Sequence, residues 1–303
     1  MRTELNPPLP AVFAALCTPI DENGRPDTTT FDRVIDFVME RGAGGVVVGG
    51  ATAEFPHFAL DERASLIRGA VARMAGRGPV IANVGTSSIF STIELACRAE
   101  DAGCAALLLS MPHYFHYSQD DLAAYCEAVC AAVRSPILLY NLPAFATPIG
   151  PPTALRLFET IPNLIGIKDS SGDRANLATL ASGRKPGISL FVGNDSLLLD
   201  AERAGWDGVI SGIACFAPEL VAAVVRSHRV GNAIEASDHQ TTLDHLIRSA
   251  VAPLPAPWGV RLGLAARGIA TGPLHLPLSL VRRKQIEEIQ AWLAEWASQQ
   301  PRR

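Results

Sequence analysis

The stretch "LIGIKDSSGD", residues 164–173, reads as a short apolar strand that ends in a lysine and breaks into a polar, glycine-bearing turn. The chain has 23 arginines but only three lysines, Lys168, Lys185 and Lys284. A chain that uses arginine for most of its positive charge has put one of its few lysines at the end of an apolar run. What that placement means depends on the fold, which the neighbouring segments predict.

Seven more segments share this character: "AVFAALC" (11–17), "GVVVG" (45–49), "VIANV" (80–84), "AALLLS" (105–110), "ILLY" (137–140), "SLFVG" (189–193) and "GVIS" (208–211). Short, continuous apolar runs are what strands buried on both faces require. Between them lie amphipathic stretches near 28–41, 61–75, 87–102, 119–133, 152–160, 174–182, 195–204 and 217–228, several opened by a capping Ser, Thr or Asp. Eight strand–helix units within residues 1–230 predict an α/β fold, the (β/α)8 or TIM barrel. The rival, an open doubly wound sheet, usually has fewer strands, and no GxGxxG follows any strand here. Residues 231–303 read as a C-terminal helical extension, broken at "VAPLPAPWG" (251–259) and closed by a helix near 282–297.

A length of 303 residues suits one such barrel, and 48% apolar residues supply its core. The net charge of −4, with no basic run longer than "RRK" (282–284), argues against a nucleic-acid partner. The opening "MRTELNPPLPAVFAALCTPI" (1–20) has an apolar part too short to span a membrane. Leu16 occupies the place where a lipid-attachment site needs a small residue, so the expectation is a cytoplasmic protein with no membrane partner. The six cysteines form no CxxC. Cys126 and Cys130 share a helix face, but with no histidine at ligand spacing they read as buried small hydrophobes. His113 and His116 stand three apart in the loop "SMPHYFHYS" (110–118), poor spacing for a metal. No metal site is expected.

Active sites on this barrel lie at the C-terminal strand ends. Lys168 ends strand six, and strand alternation puts it on one face with Gly166 and Leu164, with Gly166 leaving room for its stem. An ammonium in an apolar barrel is costly, whereas the neutral amine is a nucleophile that forms a Schiff base with ketones. The rival reading is a lysine that snorkels to the rim or pairs with a carboxylate. Tyr140 ends strand five, next to strand six in barrel order, so its phenol could shuttle protons near that amine. It could equally be a core tyrosine with a satisfied hydroxyl. After strand two, "VGGATAEFP" (48–56) offers the backbone of Gly50 and Ala51 and the hydroxyl of Thr52 as a cradle for a carboxylate, or simply an ordinary turn. Glu54 reads as a supporting member of a polar network.

Taken in order, these residues resemble the dihydrodipicolinate synthase and N-acetylneuraminate lyase family of pyruvate-dependent class I aldolases. The likeness runs through "CTPIDENGRPD" (17–27), "GGATAEF" (49–55), "YNLP" (140–143), "GIKDSSGD" (166–173), "GNDSLLLDAERAGWDGVIS" (193–211) and "GVRLGLAARGIATGP" (259–273). It implies that Lys168 forms a Schiff base with C2 of pyruvate or a longer 2-keto acid. Tyr140 would move the protons, and Thr52 with neighbouring amides would hold the carboxylate. Gly193 and Ile210 match positions whose backbones line the site. Tyr114 matches a tyrosine that in the synthases enters the neighbouring subunit's relay, which implies a homodimer or homotetramer. No metal or organic cofactor is implied.

Two departures bear on the substrate. Ala51 replaces the first hydroxyl residue of the strand-two motif and Ala53 its glycine. Phe145 stands where the synthases carry an arginine for the carboxylate of aspartate semialdehyde, and no arginine occurs between Arg134 and Arg156. The expected function is therefore cleavage of a 2-keto-3-deoxy acid to pyruvate and an aldehyde, or the reverse condensation. The alternatives are dihydrodipicolinate synthase proper, a keto-deoxy sugar acid dehydratase, or a non-catalytic barrel that binds 2-keto acids. A phosphate-binding barrel isomerase built on "VGNDS" (192–196) and "SGIACF" (211–216) is a further rival, with Lys168 as a charge partner.

Overall fold

The computed structural model describes residues 9–300. Its strands are β1 (Val12–Ala15), β2 (Gly45–Val48), β3 (Val80–Asn83), β4 (Ala106–Ser110), β5 (Ile137–Asn141), β6 (Leu164–Asp169), β7 (Ser189–Val192) and β8 (Gly208–Ser211). They close in sequence order into one parallel barrel, with β1 paired to both β2 and β8. Helices α1 (Thr28–Glu40), α2 (Leu60–Met74), α3 (Ile89–Asp101), α4 (Gln119–Ala132), α5 (Pro151–Thr160), α6 (Arg174–Gly183), α7 (Leu198–Arg203) and α8 (Pro218–Arg229) alternate with them. The (β/α)8 reading of the sequence holds, strand by strand.

The helices begin where side chains can take up their free amide groups. Asp27 accepts from the Thr30 amide at α1, Ser118 and Asp121 form a reciprocal capping box at α4, and Asp173 caps α6. Pro151 and Pro218 open α5 and α8, where their missing N–H has no intrahelical role. The stretch 195–204 divides into a 3₁₀ turn, Asp195–Leu197, and the short α7.

Two apolar layers result. Phe13, Val47, Ile81, Leu108, Leu138 and Phe191 are among the side chains that fill the barrel interior, with the Phe13 and Phe191 rings edge to face at 5.7 Å. A larger layer lies between sheet and helices.

Strand β6 corrects one expectation. Leu164 pairs with Ile137, but Gly166 pairs with Leu138, so Ile165 is an extra residue at a bulge. Leu164 belongs to the outer layer and Ile165 to the inner one. Beyond the bulge Gly166 and Lys168 pair with the inward Leu138 and Tyr140, whereas Leu164 does not share their face.

After residue 230 come α9 (Ala233–Leu246), α10 (Trp258–Ala266) and α11 (Leu280–Ser298). The "VAPLPAPWG" break leads straight into α10, a helix that the sequence reading did not separate. These helices are latched to the barrel. A side chain at Gly263 of α10 would collide with the Phe216 ring, and Trp296 of α11 meets that ring edge-on at 5.8 Å. No helix among the described residues is long and apolar enough to cross a membrane.

Candidate active site

The motifs "YN" and "KD" face each other residue by residue. Tyr140 is the register partner of Lys168, and Asn141 that of Asp169. Inside the barrel, the Lys168 amine donates to the Tyr140 hydroxyl at 3.2 Å and lies 4.3 Å from the centroid of its ring. Lys168 is only 3% exposed. On the outer face, Asn141 donates to Asp169 at 3.0 Å and accepts from the Ile149 amide at 3.2 Å, which ties down the loop after β5. Asp169 also accepts from the Ser171 amide at 2.7 Å, ordering the turn after β6. The first residue of each pair thus points into the barrel, and the second braces the loops around it.

Room for the lysine stem comes from an unexpected glycine. A side chain at Gly166 would collide with the Ser189 carbonyl oxygen, so this glycine lets β6 and β7 approach closely. Gly193, just after β7, is the residue that the stem passes: a Cβ there would stand 2.6 Å from Lys168 Cε and 3.2 Å from its Cγ. Ile210 belongs to the interior cluster that contains Tyr140.

The turn after β2 is held from three sides. Gly49 adopts φ 72°, and the buried Asn83 at the end of β3 donates to its carbonyl at 2.8 Å. Gly50 caps the 3₁₀ turn Ala51–Ala53. Thr52 Oγ1 lies 3.2 Å from where a Cβ on Gly212 would be, so the hydroxyl packs over the segment after β8. Glu54 sits at φ 54°, uncommon for a side chain of this kind, and its buried carboxylate accepts from Arg261 of α10 at 2.8 Å. Arg261 donates as well to the carbonyls of Thr271 and Pro273. The supporting role expected for Glu54 is this buried ion pair.

Sequence reasoning missed three nearby groups. Asn83 and Ser110 end β3 and β4 on the inward face, a position that strand alternation could have singled out. Asp195, in the loop after β7, is buried and bonded to the Ser211 hydroxyl, and Gln240 of α9 donates to its carbonyl at 3.1 Å. Burial pushes the Asp195 carboxyl up to about 6, opposed by the Ser211 hydrogen bond and the Lys168 charge.

Tyr114 stands apart. It is 85% exposed in the loop after β4, at φ 85°, with its ring edge-on to the exposed Phe115. Cys126 and Cys130 are buried free thiols, and burial pushes the Cys130 thiol up to about 12.

Residues 8–296 match the model of the dihydrodipicolinate synthetase family. The 4-hydroxy-tetrahydrodipicolinate synthase of Bacillus subtilis (strain 168) is 31% identical over 269 residues, 88% of this chain and 92% of that one. The protein of the same name from Azoarcus sp. (strain BH72) is 35% identical over 271 residues, 88% of this chain and 91% of that one. Among solved structures, YagE, a prophage protein of the dihydrodipicolinic acid synthase family from E. coli K12 in complex with pyruvate, superposes with a TM-score of 0.87 at 26% identity, covering 94% and 98% of the two chains. A closed eight-stranded barrel and a family match over nearly its whole length lead to one conclusion: the chain belongs to the dihydrodipicolinate synthetase family and is a class I pyruvate-dependent aldolase/lyase.

Proposed function

We propose that the chain cleaves a 2-keto-3-deoxy acid to pyruvate and an uncharged aldehyde, or runs the reverse condensation. The observation that carries this reading is the buried Lys168 amine 3.2 Å from the Tyr140 hydroxyl. In the cleavage direction the neutral amine adds to C2 of the keto acid. Loss of water, with Tyr140 carrying the proton, yields the iminium. Removal of the C4 hydroxyl proton breaks the C3–C4 bond, releases the aldehyde and leaves the electron pair in an enamine. Protonation at C3 and hydrolysis return pyruvate and the free amine. In this reading Thr52 and the amides near Gly50 and Ala51 receive the carboxylate, and the backbones of Gly193 and Ile210 line the site.

Synthesis of 4-hydroxy-tetrahydrodipicolinate is the second reading, favoured by the names of the relatives. It requires a cation for the semialdehyde carboxylate. Phe145 occupies the expected arginine position, and Arg261 is taken up by Glu54. Burial, and then the nearby Arg63 charge, lower the His113 pKa, which keeps it neutral at pH 7. These observations support the uncharged aldehyde.

Incubation with pyruvate and borohydride, followed by peptide mapping, tests the chemistry. One reduced adduct on Lys168 is expected. An adduct on Lys185 or Lys284, or none, leaves the binding-barrel and isomerase readings standing instead. A panel of 2-keto-3-deoxy acids assayed for pyruvate release, beside pyruvate plus aspartate semialdehyde, separates lyase from synthase, and unsaturated or 2,5-dioxo products would mark a dehydratase. Tyr114 is assigned to a neighbour's site in a homodimer or homotetramer. A fully active monomer by light scattering would remove it from the relay.

A further inference from the structure

We infer that the aldehyde partner is apolar, with an aryl or branched-alkyl group, and that it binds in the cavity above the ends of β4 and β5. This rests on the Schiff-base reading and narrows its substrate. The cavity has a volume of about 460 Å³. Its inner wall includes Ser110, the register partner of Tyr140, and Leu142, which packs on the interior cluster containing Tyr140. The space therefore begins one strand from Tyr140, although neither Tyr140 nor Lys168 lines it.

Its walls are carbon. Phe145 and Leu142 come from the loop after β5, Phe55 from the loop after β2, Met111 from the loop after β4, and Trp258 from α10. No lysine or arginine lines it among the described residues. Few polar groups reach it; the Ser110 hydroxyl and His113 Nδ1 lack hydrogen-bond partners, and the Tyr114 side chain borders the space. Glu54 is ion-paired to Arg261, the His57 ring stacks on His275 at 4.1 Å, and His113 packs edge-on to Phe55 at 5.7 Å. Arg63 is behind this wall, 4.7 Å from the Phe55 ring centroid, with its guanidinium bonded to the carbonyls of Asn83 and Gly85.

A polyhydroxylated aldehyde would find partners only at Ser110, His113 and Tyr114, and each further hydroxyl buried unpaired weakens binding roughly tenfold. An apolar group gains from the same walls. A closed apolar cavity of about 150 Å³ already takes up benzene, so this space holds an aryl aldehyde with room to spare. Phe145, still 55% exposed, would be covered by such a ligand. In the condensation, C3 of the pyruvate enamine bonds to the aldehyde carbon, whose oxygen takes up a proton. Water then releases a 4-hydroxy-2-keto acid with an apolar C4 substituent and restores the amine.

The test uses the intact protein with pyruvate and three aldehydes: benzaldehyde, glyceraldehyde and aspartate semialdehyde. The expected result is a kcat/KM for benzaldehyde at least tenfold above the other two. Phe145→Ser should narrow the benzaldehyde-to-glyceraldehyde ratio by about tenfold, the loss expected for one ring contact. Borohydride trapping with pyruvate alone runs in parallel and involves no aldehyde. If no Lys168 adduct forms, the Schiff-base reading falls and this inference falls with it. If the adduct forms but benzaldehyde is not preferred, is not used at all, or keeps its ratio in Phe145→Ser, the inference alone is overturned.

Discussion

Replacing Gly193 with alanine adds one methyl group and tests whether the room it gives Lys168 matters. The new Cβ would lie 2.6 Å from Lys168 Cε and 3.2 Å from Cγ. Carbon atoms pack at roughly 3.5 Å or more, so the stem must retreat by about 0.9 Å. Ser170 Oγ also stands in the way, but a hydroxyl can rotate aside. The lysine cannot retreat freely, because its amine is held 3.2 Å from the Tyr140 hydroxyl within a packed interior. A misplacement of about 1 Å at a reacting group can cost about 100-fold in rate, while overpacking costs roughly 1–3 kcal/mol of stability. Gly193→Ala should therefore form the borohydride-trapped pyruvate adduct about 100-fold more slowly at saturating pyruvate, yet remain folded. The assay is the time course of adduct formation by intact-mass measurement, with a thermal melt as control. A rate within threefold of wild type, in a folded variant, would refute the claim that Gly193 sets the position of the nucleophile.

Other consequences follow from particular contacts. Tyr140→Phe keeps the ring but removes the hydroxyl bonded to the amine, so kcat for pyruvate release should fall by about 10²–10⁴; a fall of less than fivefold would assign the proton transfers elsewhere. Arg261→Met strands the buried Glu54 carboxylate at its left-handed turn, at a cost of roughly 3–5 kcal/mol. That should lower Tm by about 10 °C, and a melt unchanged within 2–3 °C, on the order of 1 kcal/mol, would show that the pair does not hold the turn. Asp195 has its carboxyl raised to about 6 by burial, against about 4 in the unfolded chain. Between those values the native state keeps a proton that the unfolded state has released. Its contribution to stability is therefore full below about pH 4 and lost as pH rises through about 6, by up to roughly 3 kcal/mol. Urea unfolding across this window should show a decline with rising pH that is absent in Asp195→Asn. Equal slopes for the two proteins would mean that another group is responsible.

The barrel and the pairing of Lys168 with Tyr140 were legible in the sequence because both are local properties. A run such as "GVVVG" or "AALLLS" is apolar throughout because each strand is buried on both faces, and the eight helical stretches between such runs leave little choice of architecture. Lys168 and Tyr140 stood out because each ends a strand, and because β5 and β6 must be neighbours once the barrel closes in sequence order. The bulge at Ile165 was not legible: in "LIGIK" every residue before the lysine is apolar or glycine, so a one-residue slip leaves the pattern unchanged. Nor was the division of labour between Gly166 and Gly193, since which glycine faces the lysine stem depends on how β6 packs against β7. The Arg261–Glu54 pair joins residues 207 apart, and the cavity lined by Phe145 is assembled from the loops after β2, β4 and β5, the segments on either side of α10, and α10 itself. Periodicity records which way a side chain faces within its own element. Which atoms it meets is decided only when distant elements close against one another.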